Sequence, residues 1–119
     1  MSSPIEKECY RLIQEIAVLQ DPICTKLGCW HPSDCGHHLF KRDRLATAFL
    51  PHLVRGLCDH HHKWAHRKPK EYEDEVRAMA GDEAYDSWLR LSHTVVPDFD
   101  FKAKKKELQI LLDNLKRKA

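Results

Sequence analysis

Apolar positions along the chain alternate between two rhythms, one helical and one short and strand-like. Ile5, Cys9, Leu12, Ile13 and Ile16 recur at helical spacing and predict an amphipathic helix over residues 4–20. Ser3-Pro4-Ile5-Glu6 in front of them has the form of a capping box with proline at the first helical position, and Asp21-Pro22 ends the helix. Residues 36–40 and 53–57 are too short and too interrupted for helices, and they predict two strands. Lys41-Arg42-Asp43-Arg44 is a basic turn between them, and Pro51 keeps residues 45–52 from forming one long helix. A helix is predicted from Asp59, with Asp59 as its N-cap and His62 and His66 on one face. Pro69 restarts a helix that Gly81 stops, and Asp82 caps another carrying Tyr85, Trp88, Leu89 and Leu91. The last helix lays Leu108, Leu111, Leu112 and Leu115 along one side.

The elements thus run helix, loop, strand, strand and then helices, an α+β class. At 119 residues the length prior gives a single domain, 1–119. Within it we expect a scaffold helix over 4–20, a chemically rich core over 22–68, a helical extension over 69–93 and a basic helix over 101–117. No repeat, low-complexity tract or long linker interrupts the order. Neither an apolar run of membrane length nor a secretion signal is visible, which points to a cytoplasmic, non-membrane protein.

Net charge is +2, but its distribution is uneven. Residues 36–70 carry eight Lys and Arg against two Asp and Glu, and residues 101–119 carry seven against two. Residues 71–100 reverse this, with nine acidic side chains against two basic ones. Two basic blocks around an acidic one suit a polyanion partner.

The candidate chemistry lies between Cys35 and His66, which hold seven of the nine histidines. Imidazoles packed so densely make poor core, because every buried ring nitrogen needs a partner, and good metal ligands. The five cysteines form an odd set without a secretion signal, which favours metal binding over disulfides. Cys24 and Cys29 have the spacing of a zinc knuckle around Gly28, and Cys58-x-x-His61 supplies a second half. Together they predict a Cys3His zinc site; Cys35 can replace Cys29, and His31 is a further candidate. Cys9 reads as a buried thiol on the first helix. No Gly-rich phosphate loop or Gly-x-Ser-x-Gly elbow is present.

A histidine at the end of a first strand, a polar residue before a second and a histidine on the next helix resemble the HNH (ββα-metal) nucleases. Asp34-Cys35-Gly36-His37 followed by Arg42, then Leu57-Cys58-x-x-His61, and later Gly81-Asp82-Glu83, are similar to phage NinG-type recombination proteins. The string from Leu57 to His66 also resembles other phage-associated HNH proteins. The likeness covers about residues 22–93. Two departures stand out. The family's middle asparagine is missing, with His52 nearest its place, and Cys58-x-x-His61-His62 stands where NinG-type proteins usually have Cys-x-x-Cys-Asn.

The resemblance implies a small ββα-metal core with a structural Zn2+ and a catalytic Mg2+, Mn2+ or other divalent ion. It implies that one of His37 and His38 binds the ion and the other is the general base. We assign His37 to the metal with His62 and His66, and His38 to the base; the NinG-type likeness admits the reverse. His52 is expected to orient the base or steady the loop. Arg42, Arg44 and Arg55, with Lys41 and Lys63, are expected to hold DNA phosphates, arginine by its two-pronged grip. The expected function is DNA phosphodiester hydrolysis, in phage recombination or processing inside a bacterial host cell. The alternative is a zinc-stabilised DNA-binding module without chemistry. A leucine stripe left open on the last helix would favour a homodimer through that helix.

Overall fold

A computed structural model describes residues 3–118; Met1, Ser2 and Ala119, the ends of the expected domain, lie outside the described residues. Helix α1 (Pro4–Gln20) starts as its capping sequence requires, with the Glu6 amide donating to Ser3 Oγ at 3.3 Å. Its stripe of Cys9, Leu12, Ile13, Ile16 and Ala17 is buried. Strands β1 (Cys35–His38) and β2 (Val54–Leu57) pair antiparallel. A four-residue helix α2 (Leu45–Ala48) and a single 3-10 turn at Pro51–Leu53 join them. Helices α3 (Asp59–Arg67), α4 (Pro69–Ala80), α5 (Asp82–Ser92) and α6 (Phe101–Lys118) follow. The fold among the described residues is therefore α+β, six helices around a two-stranded sheet.

The sheet separates two cores. On one side α1 and α6 enclose Leu108 and Leu112 with Ala48, Phe49 and Val54. On the other, Leu53, Leu57 and Ala65 pack with Tyr72, Val76 and Tyr85 from α4 and α5. Successive side chains of a strand point to opposite faces, and directly paired residues share a face. The register sets His37 opposite Arg55 and His38 opposite Val54. His37 therefore faces the α3–α5 side, and His38 faces the α1 side.

Gly36 sits where α1 crosses the ribbon. A Cβ there would lie 2.7 Å from Ala17 Cβ and 2.9 Å from a Val54 methyl. The missing side chain lets the helix come this close. Gln14 fastens the same spot, its Nε2 donating to the Gly36 carbonyl at 2.9 Å and its Oε1 accepting from the Gly36 amide at 2.7 Å.

Two caps differ from expectation by one residue. Cys58 occupies the N-cap of α3 and Gly81 that of α5, leaving Asp59 and Asp82 in the first turns. Asp34, from the far end of the knuckle, does the capping of α3: its Oδ2 accepts from the Asp59 amide at 2.7 Å. The stripe on α6 is covered within the chain, Leu108 and Leu112 being buried against α1 and Leu111 and Leu115 partly so. The stripe thus needs no second copy. No helix among the described residues is long and apolar enough to cross a membrane.

Candidate metal centres

Residues 22–33 form a small hairpin, closed by a bridge between Ile23 and Pro32 and by the Cys24 amide donating to the His31 carbonyl at 2.9 Å. Its tip turns at Gly28, whose φ of +82° suits glycine. The Thr25 amide and hydroxyl both donate to the Gly56 carbonyl, at 3.0 and 2.9 Å, and hang the hairpin on β2. Cys24 and Cys29 are thereby brought to Cys58 and His61 at the start of α3.

The ligand atoms of these four residues all lie within 4.8 Å of one another, and the group can hold a metal ion. Cys29 and Cys58 sulfurs are 3.9 Å apart, Cys24 Sγ is 3.7 Å from His61 Nδ1, and Cys58 Sγ is 3.3 Å from the same nitrogen. Zn–S bonds of about 2.3 Å in a tetrahedron place sulfurs roughly 3.8 Å apart, so size and donor set both suit zinc. Burial pushes the Cys24 thiol up to about 11. The His31 backbone amide, hydrogen-bonding to the sulfur, pulls Cys29 below its usual range. A cation between the sulfurs would relieve the desolvated thiolate at Cys24. Cys35 is not in this group: its Sγ lies 3.7 Å from the Leu57 carbonyl oxygen on the sheet. His31 contributes its backbone rather than its ring.

His37, His62 and His66 form a second group whose ligand atoms meet the same 4.8 Å limit. His62 and His66, one helical turn apart, bring their Nε2 atoms to 3.2 Å. The His37 ring stands 5.3 Å from His62 and 4.9 Å from His66, centroid to centroid. Burial, and then the neighbouring His66 and His62, lower the His37 pKa to about 3. Burial also depresses His62. Imidazoles held neutral present lone pairs, which is the form that binds metal.

His38 belongs to neither group. Its Nε2 lies 3.0 Å from the Ala48 carbonyl. A carbonyl only accepts, so Nε2 carries the proton and Nδ1 keeps a free lone pair. His37, His38, His62 and His66 all line one open cleft of about 810 Å³, together with Lys41, Arg42 and Arg11. Among the described residues, the lining of this cleft contains no carboxylate, although Arg11 is paired with Glu15 at 2.7 Å.

The remaining sequence candidates are dispersed. His52 is exposed in the 3-10 turn and packs edge-on against Trp88, 5.8 Å away; it is not brought to His38, whose orientation comes from the Ala48 backbone. Arg44 donates to Ser92 Oγ at 3.2 Å, tying the start of α2 to α5. Arg55 faces Asp21 at 4.0 Å, and Lys63 pairs with Asp59 at 3.0 Å on the exposed side of α3. Arg42 lies over the Tyr10 ring at 4.6 Å, and the Tyr10 hydroxyl donates to the Arg42 carbonyl at 2.6 Å. Sequence reasoning missed Tyr10, Arg11 and Gln14, which α1 contributes to the cleft. Their only trace was a polar face on a helix read as scaffold.

No known protein family, curated protein or solved structure matches the chain.

Proposed function

We propose that the chain is a metal-dependent endonuclease of the HNH type, with β1, β2 and α3 as a ββα-metal core stapled by zinc. The observation that carries this reading is the pairing in one cleft of a three-histidine group with a separately fixed fourth histidine, His38. Hydrolysis of a phosphodiester requires a base for water and charge stabilisation for the phosphate and its leaving oxygen. A divalent ion on His37, His62 and His66 would supply the Lewis acidity.

The chain's own residues do the rest. His38, with Nε2–H fixed on the Ala48 carbonyl, offers Nδ1 to take the proton of the attacking water. Arg42 and Lys41, with no carboxylate within 4.0 Å among the described residues, balance phosphate charge, and Arg11 stands beside them paired with Glu15 at 2.7 Å. Cys24, Cys29, Cys58 and His61 would hold the zinc that fixes the first turn of α3, and so the bearing of His62. A place in phage recombination is proposed on the sequence likeness alone.

The test is direct. Zinc-loaded protein with Mg2+ or Mn2+ nicks or cuts DNA, chelation stops it, and His38→Ala loses at least about a hundredfold in rate, the usual share of a general base. The variant keeps its fold and its DNA affinity. A wild-type protein that binds DNA but leaves duplex, branched and single-stranded DNA intact in every divalent ion would be the non-catalytic zinc-stabilised module.

A further inference from the structure

We infer that a hollow beside the histidine cleft is a nucleobase pocket, which receives an unpaired base of the strand being cut. The inference rests on the nuclease reading and adds a substrate class to it: DNA with at least one nucleotide out of the duplex next to the cut. The hollow measures about 770 Å³ and shares Tyr10, Lys41, Arg42 and His66 with the cleft. It is a continuation of the cleft with a different character. The cleft shows Lys41 and Arg42 with no carboxylate among the described residues of its lining, Arg11 being paired with Glu15, whereas the hollow sets Glu6 and Asp43 against the same two cations, so its formal charge cancels. A phosphate gains nothing by entering it.

A base gains in two ways. Leu45 and Phe101, partly buried against the first core, give apolar walls. Arg42, exposed and backed by the Tyr10 ring at 4.6 Å, offers the outer face of its guanidinium, a plane on which bases stack. Neither Glu6 nor Asp43 has a cation within 4.0 Å among the described residues. Their carboxylates are free to accept from the exocyclic amino group of cytosine, adenine or guanine, which thymine lacks.

The experiment measures fluorescence anisotropy of zinc-loaded protein with two DNAs, a plain duplex and the same duplex bearing one bulged nucleotide. The bulged DNA binds roughly tenfold tighter, as one stacked base supplies, and a bulged cytosine binds tighter than a bulged thymine. Glu6→Gln with Asp43→Asn erases the cytosine preference, and Phe101→Leu narrows the gap between bulge and duplex. Should Phe101→Leu fail to fold, the surface carboxylate pair still decides. Equal affinity of wild type for both DNAs overturns the pocket alone. So does a carboxylate double variant that binds every DNA more tightly with its base preference unchanged, since the hollow would then be holding phosphates. Absence of binding to either DNA overturns the nuclease reading and takes the pocket with it.

Discussion

Cys58 ties the knuckle to α3, sitting at the N-cap with its sulfur 3.9 Å from Cys29 and 3.3 Å from His61. Structural zinc contributes roughly 10–16 kcal/mol of apparent binding energy in small domains, more than the ~5–15 kcal/mol net stability of a typical domain. Cys58→Ser is therefore expected to lose the metal, by elemental analysis, and to unfold or melt far below wild type. Gly36→Ala tests packing instead. The added methyl meets Ala17 and Val54 inside 3.0 Å, so a loss of about 1–3 kcal/mol is expected in a urea titration. His37 gives a pH signature. Its pKa in the fold, about 3, lies below the ordinary histidine value of 6.5, so the unfolded chain binds more protons. Stability without added divalent ion is complete above pH 6.5 and falls as pH drops from there towards 3. His37→Asn makes that slope shallower in melts taken across the range, and His62, which burial also depresses, leaves part of it in place.

Among the elements, those with a strong apolar period were legible in sequence: α1, α4, α5 and α6 stand where their stripes and their proline and glycine stops put them. The strands were legible in order but shifted, because four-residue strands carry too few positions to fix their ends; β1 starts at Cys35 and β2 at Val54. All four of the knuckle's candidate ligands followed from spacing, with Cys35 open as a substitute for Cys29; the fold, which commits Cys35 to the sheet, decides for Cys29. The partner of His38 was not legible, since a backbone carbonyl leaves no mark on residue identity. Nor was Gln14, a glutamine on a polar face that proves to clamp a strand. Gln14→Leu removes two hydrogen bonds to Gly36 and is expected to cost about 1–3 kcal/mol. The same variant should bind Mn2+ more weakly in calorimetry, because β1 is then held less firmly just before His37.

At the scale of the whole molecule, the charge blocks of the sequence become surfaces. The acidic block is spent partly on internal pairing, with Arg77 held by Glu73, Asp82 and Asp86, and the basic residues at 41 and 42 reach the cleft. DNA affinity should fall with salt at a log–log slope near −2 if Lys41 and Arg42, the cleft cations without an acidic partner among the described residues, each neutralise a phosphate, at roughly 0.9 per contact. Lys41→Gln should reduce the slope by about one in a fluorescence titration. The two cores meet across only two strands, so the position of β1 depends on both.

His61 and His62 are consecutive residues on one rigid rod, the first turned to the thiolates and the second to the other imidazoles. Neighbours on a helix are about 100° apart around its axis, so the rod cannot roll to improve its grip on one side without loosening the other. Each grouping thus sets the other's tolerance. With zinc bound at the cysteines, a chelator that took only that ion would also shift His62 away from His37.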